Sequence, residues 1–274
     1  MELSNIPKDN QKKVVAVIQV RIGSTRLPKK ILLPIAGKTA LEWIKYRLSF
    51  SQEVDAIVVS TSDTVENDPI EHMATELGLP CYRGSEDDLI ERIYQTAKMF
   101  GADAIVRITA DCPLVDPFIV DQLVRAYREN PDIVDHVTNI FPPTYPDGLD
   151  VEVMPFHTLE KLHQEVTDPL YREWITTTIM EHPDTFEILN LPYSQNLSYL
   201  RMTLDYEEDL DLISNIFEAL HTEGAIFGLS EILDLFARQP DLIKINKNRV
   251  DEGIFNNVRS AEFHNLKKED HSQI

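Results

Sequence analysis

The sequence predicts an α/β fold in which a mostly parallel sheet is covered on both faces by helices. Short, nearly continuous apolar runs rich in Val and Ile recur in the first half of the chain, as is typical of strands buried on both faces. Helical patterns separate these runs, and such alternation indicates a parallel sheet. The length of 274 residues and the hydrophobic content of 43% suit a globular chain with a sizeable core.

The predicted strands come first, because they place the candidate site. In chain order they are "VVAVIQV" (14–20), "DAIVVS" (55–60), "PCYRG" (80–84), "AIVRI" (104–108), "GLDVEVM" (148–154) and "LRMTLD" (200–205). Ligands of parallel α/β sheets bind outside the carboxyl ends of the strands, where the strand order reverses. We therefore expect a ligand near the loops that follow the first and fourth predicted strands.

Capping signals mark the predicted helices. Thr39 and Glu42 have capping-box spacing ahead of "LEWIKYRLSF", and Ser85 is placed to cap a helix that ends at Gly101. The other predicted helices are at 68–77, 116–130, 168–182 and 207–221. We expect a single domain over residues 12–255, followed by a polar tail at 256–274.

Composition excludes several classes of function. A net charge of −20 argues against general binding to nucleic acid or to anionic membranes. Two cysteines are too few for a disulfide scaffold and favour a reduced cytosolic setting. The N-terminus has no apolar signal region, and no apolar run approaches the roughly 20 residues of a membrane span. We expect a cytoplasmic protein without membrane insertion.

The loop after the first strand, "RIGSTRLPKK", gathers four cations without an acid in this acidic chain. Arg21, Arg26 and Lys30 bring charge, Ser24 offers a hydroxyl donor, and Gly23 allows the backbone to approach a ligand closely. This combination suits a triphosphate, although the order of a Walker A loop is absent. The alternative is a solvated basic turn that balances the acidic surface.

The segment "VIQVRIGSTRLPKKIL" resembles the nucleotide-binding signature R-x-x-S-T/x-R-L-P-x-K of the sugar-acid cytidylyltransferases. That family includes the CMP-Kdo synthetases, the CMP-nonulosonate synthetases and, with the strongest resemblance, the spore-coat polysaccharide SpsF-like proteins. The resemblance continues over about residues 14–215, in "RGSEDDLIERIYQTA", "RITADCPLVDP", "PDGLDVEV", "YREW" and "LDYEED".

This resemblance implies a GT-A-like α/β/α sandwich and a nucleotidyltransferase reaction. A hydroxyl of an acidic sugar would attack the α-phosphorus of CTP, giving a CMP-sugar and pyrophosphate for the biosynthesis of a cell-surface polysaccharide or glycan. The resemblance puts Arg21, Ser24, Arg26 and Lys30 on the triphosphate-binding positions, with Arg21, Arg26, Lys30 and Asp111 as the catalytic set. Lys29 stands where the family often has glycine, and we expect its side chain to point to solvent.

Two aspartates follow predicted strands and are candidate ligands of Mg²⁺, which nucleotidyl transfer requires. They are Asp111 in "TADCP" and Asp205 in "TLDYEED", and the resemblance assigns both to the metal. Their structural alternatives are a turn before Pro113 and a cap of the following helix. If both bind one ion, their carboxylates lie within about 5 Å of each other. We expect the fold to survive loss of either charge.

Other candidates depend mainly on the resemblance. Arg83 and Ser85 are expected near the base or ribose, although Ser85 also suits a helix cap. The acceptor candidates are Asp147, Asp150, Glu152 and Arg172. Trp174 replaces a histidine that is usual in the family, which leaves two interpretations open: a different acceptor, or a structural position.

Two other functions fit parts of the sequence. A GT-A glycosyltransferase, or another sugar nucleotidyltransferase, would also use a metal and a nucleotide. A glycosyltransferase, however, does not require so dense a triphosphate loop, and "ADC" replaces the usual D-x-D motif. A non-catalytic nucleotide-sugar sensor would not need to neutralise a leaving pyrophosphate. We further expect a homodimer, with the proline-rich segment 142–147 as a contact region.

Overall fold

A computed structural model of the chain describes residues 11–252, with seven strands in one sheet. The strands are β1 (Val14–Gln19), β2 (Ala56–Ser62), β3 (Cys81–Gly84), β4 (Ala104–Thr109), β5 (His136–Thr138), β6 (Glu152–Pro155) and β7 (Ile188–Asn190). The described residues include the predicted domain (12–255) as far as residue 252. The predicted tail at 256–274 lies outside the described residues.

The strand order is β3-β2-β1-β4-β6-β5-β7, and only β6 runs antiparallel to its neighbours. The chain moves outward from β1 through β2 to β3 and then returns to place β4 on the other side of β1. The loops that follow β1 and β4 therefore leave the sheet in opposite directions and open a crevice between them. The predicted mostly parallel sheet of a Rossmann-like α/β fold is confirmed.

Nine α-helices accompany the sheet within the described residues. They are α1 (Ala40–Leu48), α2 (Asp68–Glu76), α3 (Leu89–Met99), α4 (Pro117–Glu129), α5 (Phe156–Glu165), α6 (Pro169–Glu173), α7 (Ile175–Met180), α8 (Glu207–Leu220) and α9 (Leu229–Arg238). The capping box predicted for α1 is present, since Glu42 N donates to Thr39 Oγ1 and Thr39 N donates to Glu42 Oε2. No helix among these is both long enough and apolar enough to cross a membrane.

Two hydrophobic cores lie on opposite faces of the sheet. Alternate residues of β1 point to opposite sides, so that Ala16 faces one core and Val17 the other. Helices α1, α4, α8 and α9 contribute to the first core, and α3, α5 and α7 contribute to the second. The loop after β1 is anchored in the first core by the buried side chains of Leu27 and Ile31.

Two predicted helices differ in detail from the structure. The N-cap of α3 is Asp88, whose side chain accepts from Glu91 N, whereas Ser85 Oγ accepts from Asp88 N in the turn before it. The prediction that Ser85 caps this helix was therefore wrong. The helix predicted at 168–182 is divided into α6 and α7 at Trp174, which has φ −113° and ψ 64°.

The segment 200–205 does not form the strand predicted for it. Within it Arg201 makes a single bridge to Asp147, and the backbone bonds to loops: Met202 N donates to Asp147 O at 2.6 Å and Leu204 N donates to Asp111 O at 2.7 Å. Because its hydrogen-bonding groups are satisfied by loops at the sheet edge, the segment adds no strand. These bonds bring Asp205 beside Asp111.

Candidate active site

A cavity of about 570 Å³ opens at the carboxyl ends of β1 and β4. The basic loop after β1 and residues 109–111 after β4 form one part of its wall. The wall also includes residues at the start of α3, residues 173–177 and 180–181 in and after α6 and α7, and the segment 140–143. The cavity therefore occupies the crevice where the strand order reverses, as expected from the sequence.

The basic loop presents its polar residues to this cavity. Its lining residues include Arg21, Gly23, Ser24, Arg26 and Lys30. Lys29 is exposed and is not among the lining residues, which agrees with the expectation that it points to solvent. The structure thus brings the loop residues of the predicted site together.

Lys30 links the two candidate metal ligands. Its Nζ lies 3.0 Å from Asp111 Oδ2 and 2.8 Å from Asp205 Oδ1. Because both oxygens bond the same nitrogen, the carboxylates of Asp111 and Asp205 converge on one point. Burial lowers the pKa of Lys30, but the two carboxylates outweigh it and raise that pKa. Burial likewise opposes ionisation of Asp111, and the Lys30 ammonium outweighs it and holds the pKa of Asp111 below its usual range. Lys30 and Asp111 are therefore charged at neutral pH.

Asp205 is fixed on its other side by Arg201, a residue that sequence reasoning missed. Arg201 is buried, with a side chain 1% exposed, and its NH2 donates to Asp205 Oδ2 at 2.9 Å. The same guanidinium pairs with Asp147 at 2.9 Å and with Asp209 at 3.0 Å. Asp205 Oδ1 is thereby directed to Lys30 and to Arg26 NH2, at 2.8 Å each. The sequence does carry a signal for Arg201, because this arginine lies within the otherwise apolar run "LRMTL" and acidic residues follow that run.

The acceptor candidates Asp147, Asp150 and Glu152 do not line the cavity. Asp147 is held by Arg201, and burial, opposed by Arg201, raises its pKa to about 6. Burial, with the negative charges of Asp147 and Glu152, raises the pKa of Asp150 well above its usual value. Glu152 is buried against Arg107, which overcomes the effect of burial and lowers the pKa of Glu152 to about 2.

The structure also leaves Arg83, Ser85 and Arg172 outside the lining. Arg83 pairs with Asp68 at 2.7 Å and Glu71 at 2.8 Å on the side of α2. Arg172 Nε donates to Asp88 Oδ2 at 2.6 Å and so ties α6 to the start of α3. Each of these two guanidiniums has partners that direct it away from the cavity.

Gly148 packs closely against the segment that carries Asp205. Replacement of Gly148 by alanine is expected to destabilise the protein. Its φ is +100°, and a Cβ there would lie 2.4 Å from Met202 C and 2.5 Å from Thr203 N. Left-handed strain and the steric clash together are expected to lower the free energy of unfolding by about 2–4 kcal/mol. Urea denaturation measures this change.

Gly78→Ala is the matched control for Gly148→Ala. Gly78 has φ +67° with no atom within 4 Å of a built Cβ, so only conformational strain of about 1–2 kcal/mol applies. Equal losses of stability in the two variants would contradict the close approach of Gly148 to the 202–205 segment.

Comparisons with known proteins match most of the chain to one family. Residues 15–223 match the family model described as cytidylyltransferase. An uncharacterized protein of Methanocaldococcus jannaschii is 32% identical over 86% of this chain and 95% of its own length. The spore coat polysaccharide biosynthesis protein SpsF of Bacillus subtilis is 27% identical over 83% of this chain and 95% of its own length.

Two further comparisons concern a solved structure and a partial relative. The structure of a cytidylyltransferase from Leptospira borgpetersenii superposes with a TM-score of 0.81, at 33% identity, over 85% of this chain and 97% of that chain. A 3-deoxy-manno-octulosonate cytidylyltransferase of Geobacter sulfurreducens is 31% identical over 44% of this chain and 47% of its own length.

Proposed function

The chain belongs to the cytidylyltransferase family, a family of nucleotidyltransferases, and we propose that it transfers CMP from CTP to a hydroxyl of a sugar acid. The observation that carries the proposal is the convergence of Lys30, Asp111 and Asp205 in a cavity lined by the basic loop. The product would be a CMP-sugar for a surface polysaccharide, and pyrophosphate would leave.

The basic loop supports the nucleotide part of the proposal. Arg21 and Arg26 are exposed enough to receive phosphate oxygens, and Lys30 adds a third cation beside the carboxylates. Charge-assisted hydrogen bonds from these groups would orient the triphosphate and stabilise the negative charge that develops on the leaving pyrophosphate. The names of the relatives SpsF and 3-deoxy-manno-octulosonate cytidylyltransferase support a sugar acid as the acceptor and a polysaccharide as its destination.

Mg²⁺ is part of the proposal, and the residues present fit it. Asp111 and Asp205 supply carboxylate oxygens that already meet at one cationic atom, Lys30 Nζ. A protein usually binds Mg²⁺ through one or two carboxylates, with phosphates and waters completing the shell. Held by these two residues, Mg²⁺ would neutralise charge on the reacting phosphates.

Pyrophosphate release tests this function directly. The purified chain is incubated with each of the four ribonucleoside triphosphates, Mg²⁺ and a panel of sugar acids and neutral sugars. We expect release only with CTP and a sugar acid, loss of release on addition of excess EDTA, and recovery with excess Mg²⁺. Equal use of all four triphosphates, or transfer of sugar from a nucleotide-sugar without pyrophosphate release, would contradict the proposal.

Trp174 is expected to contribute to acceptor binding. It is 38% exposed and lines the cavity at the junction of α6 and α7. An aromatic contact is worth about 0.5–1.5 kcal/mol, so Trp174→Ala should raise the acceptor KM by about two- to thirteenfold. Tyr199→Ala is the control, because Tyr199 is 59% exposed and lies outside this cavity. Equal acceptor KM values in the two variants would exclude this role.

A homodimer and a cytoplasmic location complete the proposal. Phe141 is an exposed aromatic residue beside Pro142 and Pro143, which supports a contact between copies at this segment. The free cysteines Cys81 and Cys112 and the use of CTP favour the cytoplasm. Sedimentation at micromolar concentration is expected to give the mass of a dimer, and a monomer alone would contradict the assembly.

A further inference from the structure

Two arginines outside the basic loop also line the cavity, Arg92 and Arg107. Arg107 lies on β4 between Val106 and Ile108, and because side chains alternate along a strand it shares a face with Ile105. Ile105 packs in the core that α3 and α7 cover. Arg92 lies on α3, and both arginines line the cavity. The basic loop, in contrast, is anchored in the core on the other face of the sheet.

Arg92 is buried, and one of its donors has no partner. It is 3% exposed, and its NH1 donates to the backbone oxygens of Ser85 at 2.5 Å and Glu86 at 3.3 Å. Its Nε has no hydrogen-bond partner, and Arg92 forms no ion pair within residues 11–249. A buried cationic donor without an acceptor costs free energy unless a ligand supplies one.

Arg107 is held in place by three neighbouring side chains. Its Nε donates to Gln19 Oε1 at 2.8 Å, and its NH1 bonds Glu152 and, at 3.1 Å, Thr176 Oγ1. Thr176 Oγ1 donates to Glu152 Oε2 at 2.8 Å, which fixes the carboxylate in turn. These contacts hold the Arg107 guanidinium at the cavity wall, which Gln19 and Thr176 also line.

Arg21 of the basic loop and Arg107 both repel the positive charge of Arg92. Burial lowers the pKa of Arg92, Glu86 opposes that effect, and the like charges of Arg21 and Arg107 lower the pKa further. An anion placed against Arg92 and Arg107 would relieve both the repulsion and the unpaired donor. A carboxylate suits this role, since its two oxygens match the fork of a guanidinium.

We propose that Arg92 and Arg107 form an anion subsite for the carboxylate of the acceptor, separate from the basic loop that receives the triphosphate. The inference rests on the proposed function, since it concerns the second substrate of that reaction. An uncharged group could accept a hydrogen bond from Arg92, but it would not neutralise the guanidinium charges. The subsite therefore selects acids, because a charge-assisted bond between a guanidinium and a carboxylate is about twice as strong as a bond to a neutral acceptor.

The test compares a sugar acid with its own neutral analogue. The probe is the sugar acid of the panel with the highest kcat/KM, together with its carboxamide. With CTP saturating, Arg92→Gln is expected to lower kcat/KM for the acid at least tenfold, and to reduce the preference for acid over amide by a similar factor. Arg92→Lys, which keeps the charge, should retain part of that preference.

Calorimetric titration with CTP alone distinguishes the two substrates as sources of the anion. The Kd for CTP is expected to stay within twofold of the wild-type value in both Arg92 variants. Arg125→Gln, at an exposed arginine of α4 paired with Glu53, is the control and should change neither measurement. Thermal unfolding verifies that each variant is folded. If Arg92→Gln does not fold, Arg92→Lys and Arg107→Lys carry the test, each with a preference for acid reduced threefold or more.

The outcomes separate the subsite from the function it rests on. A weaker CTP affinity with an unchanged acid preference would assign the subsite to the nucleotide and overturn the inference, while CMP transfer would stand. A wild-type enzyme that uses the acid and the amide equally well would overturn it too. Failure of the wild-type enzyme to release pyrophosphate with any acceptor would overturn the proposed function, and the subsite with it.

Discussion

Asp205→Asn is expected to reduce pyrophosphate release by at least about 100-fold, because a charge that we propose to hold Mg²⁺ would be lost, and with it several kcal/mol of transition-state stabilisation. Asp205 Oδ1 contacts both Lys30 and Arg26 at 2.8 Å, and the substitution removes the negative charge that both cations share. The assay follows pyrophosphate with CTP, Mg²⁺ and the acceptor. CTP should still bind, since Arg21, Arg26 and Lys30 remain.

The fold is expected to survive this substitution. The two aspartates are not an unpaired acidic cluster, because Lys30 bonds both of them. After the change Lys30 keeps Asp111, and Arg201 keeps Asp147 and Asp209. Asp211→Asn is the control, since Asp211 is exposed on α8 and its Oδ1 accepts from Asn215 Nδ2 on the same helix. Full Mg²⁺-dependent activity of Asp205→Asn would exclude a metal role for this residue.

Lys30→Ala and Arg26→Ala are each expected to weaken CTP binding tenfold or more. A charge-assisted contact contributes roughly 1.5–3 kcal/mol, and both side chains line the cavity. Lys30→Ala should have the larger effect, because it also leaves Asp111 and Asp205 without their shared cation. Calorimetric titration with CTP measures both changes.

Lys29→Ala is the matched control for these loop variants. Lys29 belongs to the same loop but is exposed and outside the cavity lining, so its loss should change the Kd for CTP less than twofold. Equal effects at positions 26, 29 and 30 would indicate a diffuse positive surface rather than separate phosphate contacts.

The first half of the fold could be predicted because its signals are local and long enough to be distinct. β1 and β4 are six-residue apolar strands, and the capping box of Thr39 and Glu42 marks the start of α1. The position of the basic loop after β1 then follows from the general location of ligands in parallel sheets. These features require no knowledge of distant contacts.

The second half could not be predicted to the same extent. β5 and β7 have three residues each, which is too short for a periodic pattern, and neither was predicted from the sequence. At 200–205 the apolar alternation indicates a strand. The backbone of this segment instead forms hydrogen bonds to the distant residues Asp111 and Asp147, so it does not pair with a strand. Arg107 and Arg201 acquire their partners only through packing, so neither stood out as a site residue.

Asn246 supports the residues that position Asp205, although it lies outside the region of family similarity. Its Nδ2 donates to Arg201 O at 3.0 Å and to Asp209 Oδ1 at 2.8 Å, and it is buried. The family match ends at residue 223, which would suggest an early boundary for a shortened expression product. Such a truncation would remove α9 and Asn246 and leave the Arg201–Asp209 pair open to water, which would loosen Asp205. A minimal catalytic fragment of this chain therefore has to extend past position 246.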